Sequence, residues 1–301
     1  MGLVTLKEIL SESIEKKYAV GAFDTMTPLM TEAILSAAEE AGKPLILMQI
    51  DAMFDLRSDH DVYFKNIRNM IDRTTVPICL MLDHGASYEH CIRAIHYGFS
   101  SVMFDGSMLP FEENVRQTKQ IVRAAHACGV SVEAEIGHVG GLEAESDPNG
   151  SEVDESAYSE PALAQQFAEQ TGIDAMAIAF GTVHGKYRGV PKLDYQRLAT
   201  IRKMVDIPLV MHGGSGVPED GFRNAVSNGI NKINICTQMI QTASERMLRA
   251  AEPCEGRRVG FPELYAIAQE AVKDVVKTHM DVFGTQPLTL KQAPAYFGER
   301  R

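Results

Sequence analysis

Eight times along its 301 residues this chain repeats one unit: a short apolar or β-branched run, a few turn residues, then a longer segment of helical period. The runs fall at residues 19–23, 45–49, 78–82, 101–104, 130–134, 175–179, 209–211 and 232–235. Such alternation marks βα units on a parallel sheet. Eight of them, with no linker, low-complexity tract or internal repeat between, predict a single-domain (β/α)8 TIM barrel over residues 1–301, with a C-terminal tail from about residue 285. The first unit shows the local logic. After the run 19–23, Thr27 reads as a helix N-cap with Pro28 at the first helical position. Leu29, Met30, Ala33, Ile34, Ala37 and Ala38 then make one apolar face, and Gly42 stops the helix.

With 45% hydrophobic residues the chain can bury one large core. No run approaches the roughly 18 apolar residues of a membrane span, and residues 1–7 lack the basic and apolar regions of a signal peptide, so a cytoplasmic protein without membrane partners is expected. The five cysteines, Cys79, Cys91, Cys128, Cys236 and Cys254, are scattered and form no CxxC pair, which argues against a disulfide framework and a thiolate metal site and for buried, reduced thiols. A net charge of −11 disfavours nucleic acid, yet leaves room for a small anion in a locally positive pocket.

In a barrel the active site is built at the C-terminal ends of the strands. The polar residues at those ends here are Asp24, Asp83 with His84, Asp105, Glu135, His184, His212 and Asn234. Neutral imidazoles are the commonest zinc ligands, and three protein ligands with an open position is the usual arrangement of a catalytic zinc. His84, His184 and His212 therefore form a candidate metal set. A carboxylate beside such a histidine, as Asp83 is, serves either as an acid/base or as a hydrogen-bond partner that orients the ring.

The segments AVGAF (19–23), LDHG (82–85), SVMFDGS (101–107), VEAEIGHVGG (132–141), GTVHGKY (181–187), HGGSG (212–216), KINICT (232–237) and VFG (282–284) occur in the order found in the class II, zinc-dependent ketose-phosphate aldolases, and the chain resembles that family from its first strand nearly to its end. The resemblance implies that His84, His184 and His212 hold a catalytic Zn²⁺ and that Asp83 is the acid/base at the C4 hydroxyl of a ketose phosphate. Asp105 and Glu135 match acidic positions that in some members hold a second divalent metal or an alternative position of the first, and they serve equally well as hydrogen-bond partners of the histidines. By spacing from Glu135, the family's proton-shuttling loop glutamate corresponds to Glu143, although Ala144 and Glu145 follow where an Asp is common. Gly185, Gly213, Gly214, Ser215, Asn234, Ile235, Cys236 and Thr237 are implied to hold the dihydroxyacetone-phosphate half of the substrate. A Na⁺ or K⁺ nearby and a homo-oligomer, dimer or tetramer, complete the expectation.

The other half of the substrate is where the chain departs from the family. Asp24 replaces the usual Asn, Ile50 stands where Ser is common, and the far-phosphate motif is reduced to Glu255, Gly256 and Arg257. His138 stands where many members carry Thr and is expected to face solvent or pack a loop. Fructose 1,6-bisphosphate is the leading substrate; tagatose 1,6-bisphosphate or a ketose 1-phosphate with another aldehyde half is the alternative. A metal-dependent hydrolase on the same barrel would show HxH on its first strand, which is missing, and a sugar-phosphate binding protein would need neither Asp83 nor three metal ligands.

Overall fold

A computed structural model describes residues 2–56, 58–141, 150–252 and 259–288. Nine parallel strands form the sheet. They are β1 (Leu3–Val4), β2 (Val20–Asp24), β3 (Leu45–Ile50), β4 (Ile78–Gly85), β5 (Ser101–Phe104), β6 (Ser131–Ile136), β7 (Ala175–Ile178), β8 (Leu209–Met211) and β9 (Ile230–Ile235). Strands β2 to β9 pair in sequence order and the ring closes between β2 and β9, giving the expected (β/α)8 barrel. The eight runs read from the sequence are these eight strands, displaced by at most three residues at either end. The helix of the first βα unit, Pro28–Ala41, has the anticipated caps: Thr27 Oγ1 accepts from the Met30 amide at 3.3 Å and Gly42 takes φ +64°.

Period-2 alternation divides each strand between two cores. Outward residues such as Phe23, Leu47, Leu80, Val102 and Val132 pack under the helices. Inward residues, among them Val20, Ala22, Ile46, Met48, Cys79, Met81, Met103, Ala175, Ala177 and Val210, fill the barrel. The missed strand β1 lies against the first residues of β4. It leads into the helix Leu6–Ile9, whose Leu6 and Ile9 join Leu10 and Tyr18 in plugging the barrel floor. The plug is anchored by amides, Leu6 N–H donating to Ser101 Oγ at 2.8 Å and Lys7 N–H to Ser131 Oγ at 3.2 Å. With the floor closed, a ligand reaches the interior from the opposite mouth, where the strands end. Cys79, Cys91, Cys128 and Cys236 are free thiols, and Cys128, expected to be buried, is exposed just beyond the helix Phe111–Ala127. None of the described helices is long and apolar enough to cross a membrane.

Candidate active site

The same alternation carries the site. Continuing the inward positions of each strand toward the mouth gives Asp24 on β2, Asp83 on β4, Asp105 just past β5, Glu133 and Glu135 on β6, His212 just past β8, and Lys232 and Asn234 on β9. Asp24, Asp83, Glu133, Glu135, His212 and Lys232 have no exposed surface. His84 breaks the alternation: its place on β4 should turn it outward. The register between β4 and β5 shifts between Leu82 and Gly85, and His84 adopts φ +49°, a left-handed conformation costing about 1–3 kcal/mol in a non-glycine residue. Those two distortions bring its ring to the mouth. His184 lies beyond β7 in a loop tied down where its amide donates to the Gly140 carbonyl at 2.8 Å.

The three rings meet as the sequence anticipates. His84 Nε2 is 3.1 Å from His184 Nε2 and 2.9 Å from His212 Nδ1. Each ring's other nitrogen faces an acceptor: His84 Nδ1 lies 2.8 Å from Asp105 Oδ2, His184 Nδ1 3.2 Å from the Val139 carbonyl, and His212 Nε2 2.9 Å from Glu133 Oε1. An acceptor fixes the proton on the nitrogen it faces, so the three converging nitrogens are bare lone pairs. Lone pairs about 3 Å apart repel unless a cation lies between them. Burial, followed by the neighbouring His84, holds His184 and His212 well below the ordinary histidine pKa, keeping both rings neutral. The donor set thus fits a borderline-soft dication with three nitrogen ligands.

His84, Asp105 and Glu135 form a second group with ligand atoms close enough to share an ion. Burial raises the Asp105 carboxyl, but the hydrogen bond and electrostatic pull of the His84 ring and two bonds from Ser107 outweigh it and hold it well below the usual range. Glu135 is pushed up to about 8 by burial and by the negative Asp105. Its Oε1 accepts from the Val139 amide at 2.9 Å.

Asp83 extends one carboxylate oxygen to Asn234 Nδ2 at 3.2 Å; the other, Oδ2, lies 4.0 Å from the converging His84 Nε2. Asn234 is held in turn by Lys232, whose Nζ donates to its Oδ1 at 2.8 Å. Lys232 also pairs with Glu133, at 3.0 and 3.2 Å from its two oxygens, and Glu133 bonds His212. Sequence reading missed this buried Lys232–Glu133 pair. The signal was available: each lies two residues before a recognised site residue, Asn234 and Glu135, and so shares its face of the strand.

Beside the metal set, Gly213, Gly214 and Ser215 pack on Asn234, Ile235 and Cys236. Gly214 N–H donates to the Asn234 carbonyl at 3.1 Å, and Ser215 Oγ accepts from the Gln238 amide at 3.1 Å at the start of the helix Thr237–Ala251. Gly213 and Gly185 take φ +64° and +77°. Asp24 closes β2 on the inner face, and Ile50 lines a cavity of about 350 Å³ above the histidines with Asp51, Asp105, His138 and Gly141. His138 was expected to face solvent or pack a loop; its Nδ1 meets Ser107 Oγ at 2.9 Å and it lines this cavity. Glu143 and Arg257 lie outside the described residues.

A closed barrel with three converging imidazoles and a buried carboxylate at its open mouth fits a barrel enzyme with a candidate metal centre. A family model described as fructose-bisphosphate aldolase class-II matches residues 4–287. The chain is 42% identical over 295 residues to the fructose-bisphosphate aldolase of Geobacillus stearothermophilus, covering 95% of this chain and 98% of that protein. It is 40% identical over 291 residues to the probable fructose-bisphosphate aldolase of Bacillus subtilis, covering 95% and 99%. Among solved structures, the YdjI aldolase of Escherichia coli K12 aligns with a TM-score of 0.81 at 30% identity, over 94% of this chain and 98% of that one. This protein belongs to the class II fructose-bisphosphate aldolase family and is an aldolase, an enzyme that breaks and makes carbon–carbon bonds.

Proposed function

We propose that the enzyme cleaves fructose 1,6-bisphosphate reversibly to dihydroxyacetone phosphate and glyceraldehyde 3-phosphate, with a Zn²⁺ held by His84, His184 and His212. The observation that carries this reading is the convergence of three imidazole nitrogens beside the buried Asp83 carboxylate. Zinc, when bound, supplies the Lewis acid that stabilises negative charge developing on the dihydroxyacetone-phosphate half.

The remaining steps belong to the chain's own residues. Asp83 takes the proton from the C4 hydroxyl as the C3–C4 bond breaks, leaving the bonding pair on C3 and a carbonyl at C4. Asn234 keeps Asp83 aimed through the 3.2 Å hydrogen bond. Glu143 returns a proton to C3. The phosphate of the dihydroxyacetone half is held by Gly185, Gly213, Gly214, Ser215, Asn234, Ile235, Cys236 and Thr237, where two loops flank the start of the helix Thr237–Ala251 and its positive dipole end. Asp24 and Arg257 bound the aldehyde half, Arg257 as the guanidinium partner of its anionic end. Tagatose 1,6-bisphosphate and other ketose 1-phosphates are the alternative substrates. The reading includes a cytoplasmic homo-oligomer, dimer or tetramer, a Na⁺ or K⁺ near the phosphate loops, and a second divalent site at Asp105 and Glu135.

The deciding assay measures dihydroxyacetone phosphate released from each candidate ketose phosphate, before and after chelation and re-addition of Zn²⁺. Cleavage that survives chelation, or that borohydride abolishes by trapping a lysine imine, overturns the reading. Arg257→Ala should lower kcat/KM by about tenfold or more while sparing inhibition by dihydroxyacetone-phosphate analogues. Equal loss on both halves removes Arg257 from the site.

A further inference from the structure

His138 carries an inference that the aldol chemistry does not require. Its Nδ1 lies 2.9 Å from Ser107 Oγ. That hydroxyl lies 2.6 Å from Asp105 Oδ1 and can only donate to the carboxylate, which is already bonded through its other oxygen to His84. Ser107 must therefore accept from His138, which places the His138 proton on Nδ1. With Nδ1 as the donor, Nε2 is the ring's acceptor position, and none of the described residues bonds to it. The ring lines the cavity of about 350 Å³ that opens on His84 and His184. Its backbone is fixed as well, by the His138 amide donating to the Ala157 carbonyl at 2.8 Å.

Asp51 lines the same cavity. Asp51 bonds His90 Nδ1 through Oδ2 at 2.6 Å, while its buried Oδ1 has no partner. No lysine or arginine is among the described lining residues. Two acceptors on rigid supports, with no lysine or arginine beside them among the described residues, match donors on the ligand, and the uncharged donors a sugar carries are hydroxyl groups.

We propose that His138 is a specificity-determining residue that accepts a hydrogen bond, through Nε2, from a hydroxyl on the aldehyde half of the substrate, with Asp51 Oδ1 as the second acceptor of that pocket. The proposal rests on the reading above that dihydroxyacetone phosphate is the other half. It makes the enzyme selective for aldehydes bearing a hydroxyl next to the carbonyl, because a pocket acceptor left unmatched on binding a deoxy analogue is desolvated without compensation.

The experiment runs in the condensation direction with zinc-loaded protein, dihydroxyacetone phosphate and two aldehydes, D-glyceraldehyde 3-phosphate and its 2-deoxy counterpart 3-oxopropyl phosphate. The readout is the ratio of their kcat/KM values. His138→Asn keeps an amide donor toward Ser107 but offers nothing at the Nε2 position, whereas His138→Gln places its carbonyl near Nε2 and forfeits the Ser107 contact. The ratio should fall by about tenfold or more in His138→Asn and return to within about threefold of wild type in His138→Gln. A ratio unchanged in His138→Asn overturns the proposal, as does a fall confined to His138→Gln, which would make His138 only a prop for Ser107 and Asp105. Wild-type enzyme that condenses neither aldehyde overturns the dihydroxyacetone-phosphate reading, and the proposal with it.

Discussion

His212 Nε2 lies 2.9 Å from Glu133 Oε1, and neither side chain has any exposed surface. The same carboxylate is the counter-ion of the equally buried Lys232. One group therefore orients a ring of the proposed metal set and neutralises a cation inside the barrel. Removing it should act twice. Glu133→Ala leaves Lys232 buried and unpaired, an expected loss of about 3–5 kcal/mol by denaturant unfolding. Glu133→Gln still offers His212 an acceptor, but points an amide N–H₂ or a neutral oxygen at the ammonium. Zinc affinity by competition titration should drop about 10- to 100-fold. A Glu133→Gln/Lys232→Met pair that restores stability but not zinc affinity would separate the two roles.

The three ligands predict a simple stoichiometry. Purified protein should hold about one zinc per chain, and alanine at His84, His184 or His212 should strip metal and cleavage together, read by elemental analysis and rate on the same samples. Full metal content in any of the three would remove that histidine from the set.

Asp83 should behave differently, because its Oδ2 stands 4.0 Å from the His84 nitrogen and its other oxygen is committed to Asn234. Asp83→Ala should keep zinc and fold while losing about 10²- to 10⁴-fold in kcat, the usual share of a positioned acid/base. Parallel loss of metal would make Asp83 a support for the ligand instead.

Strand identity, the barrel and the three histidines were legible because each rests on a short-range rule. Period-2 alternation, Thr27 before Pro28 and Gly42 after the helix are local facts of sequence. Of the orienting partners, the sequence named Asp105 as a candidate without saying which ring it meets, and it missed the Val139 carbonyl and Glu133, because these contacts join distant segments: Asp105 to His84, the Val139 carbonyl to His184, Glu133 to His212. Strand alternation alone would even have turned His84 away from the site. Its entry depends on the bulge after Leu82 and the left-handed backbone at His84 itself, which tertiary context imposes and no propensity announces. His138, expected to face solvent or pack a loop, packs its ring on Ser107 from 31 residues away, a partner that its local sequence does not name.

His279 offers a pH test away from the site. It is buried in the helix Phe261–Val282, its Nδ1 bonded to the Val275 carbonyl at 2.7 Å and its ring set between Phe222 and Phe283. Burial holds its pKa below the ordinary 6.5, against smaller opposing effects from the Val275 bond and Glu219. The unfolded chain then binds the proton more readily than the folded one, so this group's contribution is intact above pH 6.5 and is lost as the pH falls below it. His279→Phe should flatten the stability profile of zinc-saturated protein between about pH 6.5 and 5. An identical slope in both proteins would mean that other groups set the acid limb.

Gly213 and Gly42 share φ +64° but differ in what surrounds them, which allows strain and collision to be told apart. At Gly42 an added Cβ meets nothing within 4 Å, so Gly42→Ala should lose only the left-handed penalty of about 1–2 kcal/mol. At Gly213 the same Cβ would come within 2.3 Å of the Val183 carbonyl oxygen, backbone that cannot swing aside as a side chain could. Gly213 follows His212 and Val183 precedes His184, so relieving that contact moves two metal ligands and the phosphate loop together. Gly213→Ala should therefore unfold at lower denaturant than Gly42→Ala, by about 2 kcal/mol or more. It should also raise KM for the ketose phosphate and the inhibition constant of dihydroxyacetone-phosphate analogues by about the same factor, because both ligands use that loop. Equal stability losses in the two variants, with unchanged analogue binding, would show that the loop yields without cost and that its glycines do not set the phosphate site.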